Sequence, residues 1–98
     1  MARRAWYAYI LTNARRTVLY VGVTNDLVGR VWQHRQELHG FTTRYHVTRL
    51  VWYEIYADPV RAITREKQLK AGSRAKKIAL VRGMNPSWRD LWEELGMP

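Results

Sequence analysis

Six side chains stand out by type and spacing: Tyr9, Tyr20, Arg30, His34, Glu66 and Asn85. Phosphodiester cleavage asks for a group that activates a nucleophile, a metal, a cation for phosphate charge, and hydrogen-bonding groups that hold the geometry. A hard divalent ion such as Mg²⁺ can be held by one carboxylate, waters and phosphate oxygens, so a single glutamate, Glu66, is enough. Arg30 can grip a phosphate through two parallel N–H donors, and a phenol or an imidazole can relay the proton of an attacking water. Taken singly, each residue also has an ordinary structural explanation. Two tyrosines on a hairpin pack across strands, an Arg and a His four apart are usually a solvated helix face, a glutamate beside lysines pairs with them, and Asn before Pro caps a helix. The combination is what points to chemistry.

The bulk composition agrees with such a reading without proving it. Seventeen Lys and Arg against eight Asp and Glu give a net charge of +9, which makes a polyanion the leading partner, nucleic acid before an anionic membrane surface. The longest apolar runs, Ala5–Leu11 and Val18–Val23, have strand length and cannot span a bilayer. The Met1-Ala2-Arg3-Arg4 start lacks the apolar core of a secretory signal, so a cytoplasmic protein with no membrane partner is expected. With no cysteine, thiolate metal sites and Cys nucleophiles are excluded, and any metal rests on O or N ligands. His34, His39 and His46 lack the paired spacing of a zinc helix. Ninety-eight residues without a break in composition make one domain, residues 1–98.

The elements that must position the six residues follow from local pattern. Trp6 to Thr12 and Val18 to Val23 read as a β-hairpin around a turn at residues 13–16. Thr12 would then pair with Thr17, with Tyr9 opposite Tyr20 on one face. Thr24-Asn25-Asp26 offers caps to a helix with Leu27, Val31 and Leu38 inward, stopped by Gly40, and Arg30 and His34 project from one of its faces. Leu50 to Tyr56 is a third strand. Asp58-Pro59 opens a second helix to about Gly72, with Val60, Ile63 and Leu69 as its core side and Glu66 turned toward the body of the protein. Ser73 caps a third helix ending near Gly83, and a last turn or helix packs Trp88, Leu91, Trp92 and Leu95. The order β-β-α-β-α-α-α predicts an α+β domain, a small three-stranded antiparallel sheet flanked by helices. Seven basic residues, Arg65, Lys67, Lys70, Arg74, Lys76, Lys77 and Arg82, crowd the second and third helices, and Glu66 is the only acid among them.

Tyr7-Ala8-Tyr9, then eleven positions from Tyr9 to Tyr20 in Tyr20-Val21-Gly22, then Arg30, His34, Glu66 and Asn85 in order, resembles the GIY-YIG endonuclease pattern over nearly the whole chain. The stretches Leu19–Leu27, Arg65–Lys70 and Asn85–Leu91 resemble the small standalone bacterial members. The first motif reads Tyr-Ala-Tyr for Gly-Ile-Tyr and the second Tyr-Val-Gly for Tyr-Ile-Gly. Neither change removes a reactive group, though Tyr7 adds a second phenol on the strand face of Tyr9, and the eleven-residue spacing favours Tyr9. The resemblance implies that Glu66 binds Mg²⁺ or Mn²⁺, that Arg30 stabilises the scissile phosphate, and that Tyr9 or His34 takes part in activating water. It further implies that Tyr20 orients the nucleophile or contacts the phosphate, that Asn85 braces the site, and that Gly22 lies beside the catalytic surface.

The expectation is therefore a metal-dependent endonuclease on DNA, selective for branched, flap or damaged structure and not for sequence, of the kind used in repair or recombination. No residues remain for a separate recognition domain. RNA stays open as a substrate, as does the oligomeric state. Arg30, Arg65, Lys67, Lys70, Arg74, Lys76 and Lys77 are the expected nucleic-acid contacts. The alternatives are a nucleic-acid-binding module without turnover and, behind it, a basic protein that serves an acidic protein partner.

Overall fold

The computed structural model describes residues 5–36 and 45–95. Three strands, β1 (Trp6–Thr12), β2 (Leu19–Thr24) and β3 (Arg49–Tyr56), form one antiparallel sheet in the order β2-β1-β3. The helices among the described residues are α1 (Leu27–Arg35), α2 (Pro59–Ala71) and α3 (Arg74–Met84), followed by a 3₁₀ segment at Leu91–Leu95. The expected α+β order holds, with the last helix reduced to that single 3₁₀ segment. Leu38, His39 and the stop at Gly40 lie outside the described residues.

Alternation along β1 divides the core in two. Ala8 and Ile10 face Leu69, Val81 and Trp88 of the α2–α3 layer, whereas Tyr9 and Leu11 face Leu27 and Val31 of α1 together with Leu91 and Trp92. Helices therefore cover both faces of a three-stranded sheet. Side-chain caps set the helix starts: Asp26 accepts from the Gly29 N–H, Asp58 from Arg61 with Pro59 in the first turn, and Ser73 from Lys76.

Two expectations are corrected. Thr12 pairs with Leu19 and not Thr17, and Tyr9 stands opposite Gly22 and not Tyr20. The cause is Asn13, whose side-chain oxygen accepts from the backbone N–H of Thr17 (2.9 Å) and of Val18 (3.1 Å), drawing both into the turn. The slip is two residues, an even number, so Tyr9 and Tyr20 keep a common face. On α2 the buried positions are Ala62 and Leu69, whereas Val60 and Ile63 are exposed. Glu66 is nevertheless turned inward, because it falls four residues after Ala62 and three before Leu69.

A bulge interrupts β3. Ile10 pairs with Trp52 and Leu11 with Leu50, so Val51 is the extra residue. Its carbonyl accepts a hydrogen bond from Asn85 Nδ2 at 3.2 Å. Among the described residues no helix is long and apolar enough to cross a membrane.

Candidate active site

The site is built where α1 lies across the β1–β2 ladder. The Tyr9 ring extends over Gly22, where a Cβ would come within 2.3 Å of both Cζ and Oη, so only a glycine leaves room for it. Tyr9 is 1% exposed. Its Oη lies 3.3 Å from His34 Nε2, and the Tyr20 ring packs edge-on against His34 with centroids 5.2 Å apart. Tyr20 and His34 are half-buried and form the more open side of the cluster. Tyr7 pairs edge-on with Tyr53 at 6.3 Å instead, so of the two tyrosines on that strand face it is Tyr9 that meets the histidine.

Burial sets the protonation states. It pushes the Tyr9 phenol well above its ordinary value, with Tyr20 and Glu66 adding to the rise, while the Arg30 guanidinium opposes it by charge and hydrogen bonding. Burial also lowers His34 below the usual histidine value, and the Arg30 charge lowers it further. At neutral pH the pair is thus a neutral phenol against a neutral imidazole. A neutral imidazole carries one ring nitrogen that can accept a proton.

Glu66 comes from the opposite layer. It lies on α2, which packs against β1 and β2, and its charge still reaches the Tyr9 phenol. Its side chain is 14% exposed and pairs with Lys70 Nζ at 2.7 Å. Lys70 in turn lines a hollow with Tyr20 and Lys77 at the β2 edge, where the two layers meet. Among the described residues no three His, Cys, Asp or Glu side chains converge, so a cage of protein ligands is not formed. A single recessed carboxylate whose charge reaches the Tyr9 phenol fits the other mode, in which Mg²⁺ keeps waters and takes substrate phosphate oxygens.

Tyr9, Tyr20, Arg30, His34 and Glu66 are brought together. Asn85 is placed differently: it is 2% exposed, its Nδ2 donates to the carbonyls of Val51 and Arg89, and its Oδ1 accepts from Arg89 N–H. It ties the β3 bulge to the turn after α3. Of the expected nucleic-acid contacts, Arg65 is bound to Glu54 at 3.0 Å and lies over Trp52, and Arg74 donates to the Arg16 carbonyl. Lys67, Lys70 and Lys76 are exposed, and Lys76 and Lys77 line a groove of about 460 Å³ between α2 and α3.

One functional bracket escaped the sequence reading. Asp90 accepts from Arg35 Nη1 (2.6 Å), Leu50 N–H (3.2 Å) and Trp92 N–H (3.1 Å), and so pins the end of α1, the helix of Arg30 and His34, to β3. Its place in the Asn85–Leu91 stretch was the available signal.

The profile of the GIY-YIG catalytic domain matches residues 5–79. The chain belongs to the GIY-YIG family. It is also 33% identical over 82 residues to a UPF0213 protein of Syntrophus aciditrophicus (strain SB), covering 82% of this chain and 92% of that one. The solution NMR structure of a UPF0213 protein from Bacillus halodurans superposes with a TM-score of 0.57 at 25% identity, over 96% of this chain and 99% of that one. The chain is thus similar to small proteins of the family over nearly their whole length. The GIY-YIG domain is a nuclease domain, so the coarse activity is phosphodiester hydrolysis on nucleic acid. Asn85 lies beyond the matched residues.

Proposed function

We propose that this GIY-YIG domain is a Mg²⁺-dependent (or Mn²⁺-dependent) endonuclease that hydrolyses DNA phosphodiester bonds and selects branched or flapped structure, the kind that arises in repair and recombination. The observation that carries the reading is the Tyr9–His34 contact, with Tyr20 against the imidazole and the charges of Arg30 and Glu66 acting on the phenol.

The chemistry follows from the protonation states. The buried phenol of Tyr9 keeps its proton at neutral pH and is a poor base, whereas His34 is neutral and holds an acceptor lone pair. The proton of the attacking water therefore ends on His34, and Tyr9 fixes the imidazole. Tyr20, at the open side, presents its hydroxyl to the water or to a phosphate oxygen. Arg30 holds the scissile phosphate as negative charge builds on it. Glu66 would hold the divalent ion, which supplies Lewis-acid stabilisation of that charge and of the departing oxygen. With one nucleophile, one phosphate is cut at a time.

Selection of shape and not sequence is supported by what the surface offers. The exposed cations Lys67 and Lys76 suit backbone phosphates, which carry no sequence information. The test is a panel of end-labelled linear duplex, flap, fork, single-stranded DNA and RNA in Mg²⁺. Faster cutting of flaps and forks than of linear duplex is expected. Equal rates on all DNA shapes would remove the structure selectivity. Salt-sensitive binding with no product in Mg²⁺ or Mn²⁺ would give the domain over to binding without turnover.

A further inference from the structure

Lys70 stands one helical turn beyond Glu66 and closes the solvent side of its carboxylate, with Nζ 2.7 Å from Oε2. The same side chain, 57% exposed, borders the hollow shared with Tyr20 and Lys77. Lys77 is fixed at that hollow by a 2.9 Å hydrogen bond from Nζ to the Gly72 carbonyl at the end of α2. One mobile ammonium thus has two anionic sites within its reach: the carboxylate that now holds it, and any anion entering beside Tyr20.

We propose that Lys70 is an exchange residue: a divalent cation arriving at Glu66 takes the carboxylate from it, and the released ammonium joins Lys77 beside Tyr20 to seat a backbone phosphate adjoining the scissile one. The proposal rests on Glu66 being the metal ligand. The Glu66 carboxylate is recessed but the Lys70 ammonium is largely exposed, and Glu–Lys pairs one turn apart with a solvated partner are weak, so a doubly charged ion on the same oxygens displaces the ammonium. A lysine stem swings without backbone movement. Two ammonium groups at one hollow repel each other until an anion lies between them, so the seat is complete only when metal and nucleic acid are both present. Metal and DNA must then strengthen each other's binding, and the coupling is reciprocal. Part of it passes through Lys70.

The experiment measures both ligands separately on the intact chain. Free Mn²⁺ is followed by electron paramagnetic resonance during titration of wild type, Lys70→Met and Glu66→Gln without DNA. Binding of a labelled flap DNA is followed by fluorescence anisotropy in EDTA and in Ca²⁺. Lys70→Met is expected to bind Mn²⁺ about twofold more tightly, the factor expected from losing one helical ion pair with a solvated partner. Its loss of DNA affinity should be small in EDTA, where Lys70 is held by Glu66, and several-fold in Ca²⁺, with the salt slope in Ca²⁺ shallower by about one. Equal DNA losses in EDTA and Ca²⁺, or unchanged Mn²⁺ affinity in Lys70→Met while Glu66→Gln abolishes Mn²⁺ binding, would overturn the exchange and leave the Glu66 assignment standing. Mn²⁺ binding indifferent to Glu66→Gln would overturn both.

Discussion

Gly22 stands directly opposite Tyr9 in the β1–β2 ladder, and the tyrosine ring fills the space a side chain on residue 22 would need. Because Tyr9 in turn meets His34, a backbone position on one strand sets the aim of an imidazole on a helix. Gly22→Ala should therefore push Tyr9 off His34. With Tyr9 only 1% exposed the ring has no free volume to enter, and about 1–3 kcal/mol of stability should be lost by urea melts. Cleavage should fall by roughly 10²-fold at temperatures where the variant is folded, since small misplacements of reacting groups are that costly. A folded Gly22→Ala with wild-type rate would mean the Tyr9–His34 contact is dispensable.

The protonation of His34 gives a pH signature. Burial and Arg30 hold its pKa below the ordinary 6.5, so the neutral, proton-accepting form is present at pH 7 and is lost as pH falls through the lowered value. The rate limited by this group should be flat near neutrality and decline only below pH 6.5. In NMR titrations Arg30→Gln should raise the His34 midpoint, because one of the two causes of its depression is removed. A wild-type midpoint above 6.5 would contradict the assignment.

Asn85 separates bracing from catalysis. Its side chain makes three hydrogen bonds, all to backbone, at a position 2% exposed. Asn85→Ala leaves the Val51 and Arg89 groups short of partners and should cost about 1–3 kcal/mol, visible as a lowered midpoint in urea. Below that midpoint the rate per folded molecule should change by less than tenfold. A large rate loss without a stability loss would instead make Asn85 part of the chemistry.

Asp90→Asn tests the bracket on α1. The loss of charge opposite Arg35 should destabilise by about 1–2 kcal/mol, given that the pair is partly exposed (33% and 21%) and hence solvent-screened. Because α1 carries both Arg30 and His34, the His34 ring resonances should broaden or shift although the hydrogen bonds of Asp90 go to Arg35, Leu50 and Trp92. Unchanged resonances would confine Asp90 to holding the C-terminal turn.

Local signals carried the elements and their order into the sequence, since the caps at Asp26, Asp58 and Ser73 are chosen by residues within one turn of them. Strand register was not legible, because Asn13 takes two backbone N–H groups that a simple four-residue turn would leave to the ladder. Parity survived the slip, and so did the shared face of Tyr9 and Tyr20. The α2 face was misjudged at Val60 and Ile63 because an alanine, Ala62, lets the helix lie close on β1 and β2 while larger apolar neighbours point outward. The convergence of Tyr9, Tyr20, Arg30 and His34 could be expected from the family pattern. The Glu66–Lys70 pair was among the ordinary ion pairs its helix offers, whereas the capture of Arg65 by Glu54 and of Arg35 by Asp90 could not be expected, because choosing among many nearby charges depends on distances that only the fold supplies.

The most direct test of the nuclease reading is single-turnover cleavage of a labelled flap DNA in Mg²⁺ by wild type and Glu66→Gln, with DNA affinity measured in parallel in Ca²⁺. Glu66→Gln keeps the shape of the side chain while losing the charge that would hold the metal. The predicted result is a loss of cleavage by roughly 10³-fold or more with DNA binding held within about fivefold, as expected when charge stabilisation at the phosphate is removed. Cleavage by Glu66→Gln at the wild-type rate would contradict the account.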